Sequence, residues 1–385
     1  MKKLLLATLV SAASIAAAHA DGPTVYGKIN ASVDVTKSDL NTKNSISVDS
    51  NASRIGIKGS EKLTDNLNAV YGIEWGVEAS SNKANNNTDA GNSTTTDLNA
   101  RNRFVGLEYV GVGTIKLGRL DTNLKTLAYV NPNGGVDIFD DLVNGSLDTT
   151  QTFAGENRIN NVIALESAKF DLGLGWVSAN FQIIPTEKTV AKGAIGSTGV
   201  TATSSSVLLQ NKDVGFYTGL AYDSNVTEVA NATAAFGPGN AGSVLANTFR
   251  WVGSVDLGKA IGADGLTLNA LAQQAKVTNL SGVKPKETSF LVSGVYKLPA
   301  SVLDGLSLKA QFQTATTKDL GAGLKDVKID QYGFDVDYAF SAKTKVYTFV
   351  AQRQVKNPNN PAVAANGYDT KYKYTAYGVG IEQKF

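Results

Sequence analysis

The sequence predicts an all-β chain, a transmembrane antiparallel β-barrel of about sixteen strands. Three observations predict it. Apolar and polar residues alternate with period two in stretch after stretch, and short turns alternate with long polar connections. The third is an interruption: residues 121–157 carry no strand period at all.

The N-terminus reads as an export leader, residues 1–20. Lys2 and Lys3 form a positive end, Leu4 to Ala18 an apolar run, and Ala18-His19-Ala20 a small-x-small cleavage site. The expected mature chain starts at Asp21, exported through the Sec pathway. Without Lys2 and Lys3 the charge falls from +2 to zero, which offers nothing to a polyanion and argues against nucleic-acid binding. Cysteine is absent, and the single His and single Met lie at positions 19 and 1. Disulfides, Cys/His metal sites and His-dependent catalytic triads are therefore excluded from the mature chain. The reading assigns no catalytic residue, no metal and no cofactor.

The strands follow in order. Val25 to Val35 is apolar or Gly at every odd position and mostly polar between, about the length a tilted strand needs to cross a bilayer. Leu67 to Val77 repeats the pattern. Phe216, Leu220 and Tyr222 share a face, as do Phe249, Trp251, Val255 and Leu257, opposite Arg250. Leu266 to Ala272, Leu306 to Phe312 and Tyr332 to Phe340 alternate likewise. Leu172–Ile184 and Lys345–Gln354 are mixed on both faces, and no outward face can be assigned to them.

Connections sort into two sets. Short turns are expected at Lys62–Asn66, Val110–Gly113, Ala168–Asp171, Asn211–Asp213, Gly258–Gly265, Pro299–Gly305 and Ser341–Thr344. Long polar loops are expected at Thr36–Ser50, Ser80–Asn99, Pro185–Thr203, Asn225–Ala246, Thr278–Glu287, Thr317–Lys325 and Asn357–Thr370. A soluble sandwich explains strands and turns, but not loops sorted by side between strands of spanning length.

Three stretches resemble the Gram-negative general porins of neisserial and betaproteobacterial type. They are Ser53 to Glu61, Arg103 to Arg119, and Asn157 to Val162, joined by Val25-Tyr26-Gly27 and by the terminal Phe385 after an alternating strand. The resemblance implies a multi-pass outer-membrane barrel, a homotrimer passing water, ions and small hydrophilic solutes through lipid and lipopolysaccharide. It implies that the third long loop, here 121–157, folds into the barrel as a constriction. By position Arg54, Arg101 and Arg158 match the family's wall arginines, with Lys58 and Arg103 nearby, and Asp137, Asp140, Asp141 and Asp148 are the loop acids expected to face them. Strand parity independently puts Arg54 and Lys58 on the wet face, since an arginine facing lipid costs about 2–4 kcal/mol at the midplane.

Charged rings set ion preference in wide pores. The strand-fixed arginines tilt the expectation toward anions, the acid-rich loop toward cations. A second reading makes the long loops an adhesive surface with conduction incidental. Gly253 to Lys259 has phosphate-loop spacing, but Ala260 stands where Ser or Thr would hold Mg²⁺ and no helix pattern follows, so it reads as a strand end and turn. Asp335 and Asp337 read as a lumen-facing polar pair rather than catalytic acids.

Overall fold

A computed structural model describes residues 22–39, 43–80, 98–129, 135–139, 152–173, 175–185, 201–228, 244–278, 283–357 and 371–385. The expected leader and the acids Asp140, Asp141 and Asp148 lie outside the described residues. The first half of the wall contains β1 (Thr24–Ser38), β2 (Ser45–Ser50), β3 (Arg54–Lys62), β4 (Leu67–Val77) and β5 (Leu98–Tyr109). It continues with β6 (Gly113–Asp121), β7 (Arg158–Ser167), β8 (Phe170–Asp171), β9 (Trp176–Ile184) and β10 (Ala202–Asn211). Next come β11 (Phe216–Thr227), β12 (Leu245–Asp256), β13 (Leu266–Val277) and β14 (Lys286–Lys297). The wall ends with β15 (Leu306–Lys318), β16 (Val327–Ala339), β17 (Thr344–Lys356) and β18 (Lys371–Lys384).

These segments make sixteen wall strands. The pair β2 and β3 both lie along β1 as one kinked strand, and β7 and β8 both lie along β9. Every wall strand pairs antiparallel with its sequence neighbours, and β18 closes the barrel on β1 from Lys28↔Lys384 to Ser38↔Tyr374. Phe385 is drawn into this seam: its N–H donates to Gly27 O at 3.1 Å, and its carbonyl accepts from Gly27 N–H. Closure leaves no open edge, the condition for crossing a bilayer with strands.

Burial inverts the usual order. Val105, Leu117, Trp251, Phe290, Phe312, Tyr332 and Val379 are exposed, whereas Ser204, Arg250, Gln273, Glu287, Gln313 and Asp335 are buried. An apolar exterior around a polar interior is the pattern of a barrel in lipid rather than a soluble sandwich. No helix among the described residues is long and apolar enough to cross a membrane.

Several boundaries differ from the sequence expectation. β1 runs to Ser38 and β2 begins at Ser45, so the connection predicted over Thr36–Ser50 is mostly strand. The interrupted stretch contains a helix, α1 (Asn123–Tyr129), that a strand-period search passes over. Short helical turns α2 (Leu257–Ile261) and α3 (Ala300–Leu303) fill two predicted turns. In α2 the Asp256 carboxylate accepts from the Gly258 and Lys259 N–H groups, so a helical turn does follow the phosphate-loop look-alike, as a capped strand connection.

Candidate functional site: the barrel interior

The inner wall divides into two chemically different parts. One is charged and occupies β1 to β7. Arg54 lies opposite Lys28 across the strand pair, and directly opposed residues share a face. Lys28 bridges Glu382 at 3.1 Å, Arg101 bridges Glu74 at 2.5 Å, and Lys116 bridges Glu166 at 2.6 Å. Lys58 sits 5.2 Å over the Tyr26 ring, whose hydroxyl donates to Glu74. Arg158 and Lys125 both pair with Asp121, at 3.0 and 3.5 Å, and Asn102 bonds to both Asp121 and Arg158. Arg101 thus pairs with Glu74 and Arg158 with Asp121, while Lys58 reaches Glu74 through the Tyr26 ring and Arg54 lies across the strand pair from Lys28.

Arg103 departs from this group. It pairs with Ile73 and Arg119 on the face that carries exposed Val105 and Leu107, and it stacks 5.5 Å from the Trp75 ring. Its register sets it apart from the inward arginines. The cause is a register shift between Ile73 and Trp75, which puts one extra β5 residue against β4 and turns Arg103 outward.

The second part of the wall, β10 to β15, holds the described pieces of the 121–157 stretch. Thr122 starts α1, its Oγ1 accepting from Lys125 N–H at 3.2 Å, and the Asn123 N–H and side-chain amide bond to Ser204. Tyr217 donates to Leu127 O at 3.1 Å. Farther along, Ser293 donates to Val136 O, Gln311 Oε1 accepts from Ile138 N–H, and Gln313 donates to Thr152 Oγ1. Backbone that leaves the strand ladder still needs partners. Here the inward serines and glutamines supply them.

Arg250 holds the returning end. Its guanidinium, fully buried, pairs with Glu156 at 2.5 Å and donates to Gln273 Oε1, Leu124 O and Ala154 O. Glu287 accepts from Ala154 N–H and Glu228 from Gly155 N–H. The sequence reading used Arg250 only as the polar counterpart of Phe249 and Trp251. A lone arginine amid inward Ser, Gln and Ala was the available signal.

Apolar packing completes the attachment. Leu124, Leu127, Ala128, Val136 and Phe153 pack with Tyr217, Val252, Leu271 and Leu291, so this inner surface is a dry core. Ile138 and Phe139 pack against Tyr347, Phe349 and Ala351 of β17. That resolves the mixed faces of Lys345–Gln354: the inward aromatics of β17 meet a side chain rather than water. Gly333 leaves room for the Phe139 ring, where any Cβ would collide, and Gly219 does the same for Leu127.

Asp137 belongs to this attachment. It is 4% exposed, and its Oδ1 accepts from Phe139 N–H and from Gln311 Nε2 at 2.8 Å. These bonds tie the carboxylate to its own turn and to a wall amide of β15. Asp335 and Asp337 are inward, as expected, with Lys309 between them. Among the described residues no group of three or more acidic or imidazole side chains is arranged for a metal.

A closed sixteen-strand barrel, apolar outside and charged along half of its interior, defines an integral outer-membrane protein. The chain belongs to the family of Gram-negative porins, whose model matches residues 6–358. The major outer membrane protein P.IB of Neisseria sicca is 41% identical over 132 residues, covering 32% of this chain and 33% of the relative. The match thus spans about a third of that relative's length. Two solved barrels share the fold at 17% identity. One is an anion-selective porin from Comamonas acidovorans (TM-score 0.64, covering 94% of this chain and 99% of that one), the other OmpF of Salmonella typhi (TM-score 0.60, 94% and 97%).

Proposed function

We propose that the barrel is a passive channel for ions and small hydrophilic solutes, with residues 121–157 as its constriction. The observation that carries this reading is the division of the inner wall. The segment is fixed to the β10–β17 side, which leaves the charged side, with Arg54, Lys58, Arg101 and Arg158, to line the water path. Seven cations (Lys28, Arg54, Lys58, Arg101, Lys116, Lys125, Arg158) stand there against six carboxylates (Asp34, Asp49, Glu74, Asp121, Glu166, Glu382), an excess of one. Fixed positive excess in a narrow aqueous path favours anions. The anion selectivity named for the Comamonas porin accords with this.

The working form is a homotrimer in lipid and lipopolysaccharide, reached after removal of residues 1–20, and it catalyses no reaction. Trimer form is named for OmpT of Vibrio cholerae, which shares the fold. Glu74, Asp121 and Asp335 are each held by a cation. Purified protein in a planar bilayer under a KCl gradient tests the reading. Stepwise conductance with a reversal potential on the chloride side is expected. Insertion without conductance overturns the channel, and a potassium-side reversal overturns the selectivity.

A further inference from the structure

The inward arginines Arg101, Arg158 and Arg250 each hold a carboxylate, from Glu74, Asp121 and Glu156. Arg353 of β17 breaks this pattern. It shares the inner face of the strand with Phe349 and Ala351 by alternation. Its Nε is buried and meets no acceptor, while the residue as a whole is half-buried. Among the described residues the guanidinium makes no hydrogen bond and no ion pair. Its neighbours are the Tyr374 ring, with its centroid 5.6 Å away, and Tyr372. An aromatic ring attracts a cation but carries no charge to cancel it. A guanidinium withdrawn from water without a counter-charge is costly to hold.

The strand register shows that the wall itself offers none. Arg353 lies directly opposite Gln331 of β16 and Tyr374 of β18, and Tyr374 in turn faces Ser38 of β1. Opposed residues share a face, so uncharged polar side chains flank the guanidinium on both sides. The inward acids of β16 and β18, Asp335, Asp337 and Glu382, are already held by Lys309 and Lys28. The next inward residue of β17 is Ala351, against which the Phe139 ring packs. Phe139 thus bounds the place on the side of the short turn that starts β17. The other side leads to the strand end that carries the long connection Asn357–Thr370.

We propose that Arg353 is the centre of a binding site for a small oxyanion, a carboxylate or phosphate that presents two oxygens on one edge. Tyr374 covers a face of the guanidinium and leaves its N–H edge to the ligand. That edge is a rigid fork, which meets a carboxylate or phosphate with two parallel hydrogen bonds. Bound there, the anion supplies the counter-charge that the wall lacks. Chloride, a single atom, cannot use the fork. The site stands on β17, outside the charged β1–β7 wall, so it holds an anion for its shape where that wall acts on charge alone.

Binding needs no conduction, so it is read first on the folded full-length barrel in a detergent without phosphate groups. The ³¹P resonance of inorganic phosphate should broaden saturably, in salt that screens diffuse attraction. Arg353→Gln should weaken this binding by about tenfold or more, through the loss of charge-assisted hydrogen bonds. Arg353→Lys keeps the charge without the fork and should fall between, so a folding defect in one variant leaves the other to decide. Arg103→Gln, at an outward arginine, should bind as the wild type does. Acetate should displace the phosphate, and an equal concentration of chloride should not. In a planar bilayer, phosphate should lower the chloride current of the wild type and spare that of Arg353→Gln. A wild type that leaves the phosphate line sharp overturns the proposal, whether the guanidinium then stays bare or is met by an acid of the 121–157 stretch. Broadening that survives Arg353→Gln, or that chloride relieves as well as acetate does, overturns it too. Binding without conductance would uphold the site and remove only the channel.

Discussion

Replacing Arg250 with alanine should free the returning end of the 121–157 stretch while leaving the barrel closed. The guanidinium is fully buried and serves one carboxylate, one amide and two backbone carbonyls. Removing one partner of a buried ion pair costs about 3–5 kcal/mol, because the other charge stays behind unpaired. Concentrated in the attachment of one segment, that is on the order of 10²–10⁴-fold in its detached population. The β11–β12–β13 ladder is made by backbone and persists. Single-channel recordings should show added open-state noise and transient closures, and trypsin should gain access to Lys125. Arg250→Lys keeps the charge but loses the fork and should fall between. Wild-type current noise together with unchanged trypsin resistance in Arg250→Ala would refute the assignment of Arg250 as the anchor.

Three further outcomes follow from the same geometry. Gly333→Val should push the Phe139 ring off β16 and destabilise the attachment by about 1–3 kcal/mol, read as earlier protease cleavage within the segment; unchanged cleavage would contradict the socket. Joint Arg54→Gln and Lys58→Gln should shift the reversal potential toward potassium. Arg103→Gln should leave it in place, and an equal shift would return Arg103 to the pore. Burial, reinforced by repulsion from Asp223 and Glu287, outweighs the Gly155 N–H and pushes the Glu228 carboxyl up to about 8, from an ordinary 4.5. Folding therefore keeps Glu228 protonated where the unfolded chain ionises. Its stabilising contribution is full below about pH 4.5 and is lost as pH rises through 8. The unfolding temperature should fall across that window, less steeply in Glu228→Gln; an identical slope in the two proteins would rule Glu228 out as the source.

The barrel was legible because lipid imposes a strict alternation on each strand, and Tyr332 to Phe340 or Leu67 to Val77 display it without help from tertiary context. That parity puts Arg54 and Lys58 on the wet face independently of the family resemblance. Arg103 was grouped with them through the family resemblance, and nothing local in Asn99 to Phe104 announces the one-residue bulge that turns it to the other face. Parity read strand by strand misses such a shift. It also passed over the division of the interior. Polar inward residues were read as wetted, yet Ser204, Gln273, Ser293, Gln311 and Gln313 bond to protein backbone or side chains. A trace of this was present, since the inward residues from β10 to β15 are mostly uncharged while those from β1 to β7 carry lysine, arginine and glutamate. Tyr347 and Phe349 broke the alternation because their partner, Phe139, comes from a segment two hundred residues away. Long-range pairing of that kind leaves no mark on a single strand.

The absence of cysteine makes one measurement especially direct. Leu127 of α1 packs onto Gly219 of β11, so a Leu127→Cys, Gly219→Cys pair should close a disulfide on the inner wall. The account predicts that the pair oxidises in the folded barrel, shifts its mobility on a non-reducing gel, and still conducts in a planar bilayer with chloride preferred. Two thiols that stay reduced in a folded, conducting barrel, both reacting freely with a bulky water-soluble maleimide, would mean that the 121–157 stretch does not lie on the inner wall.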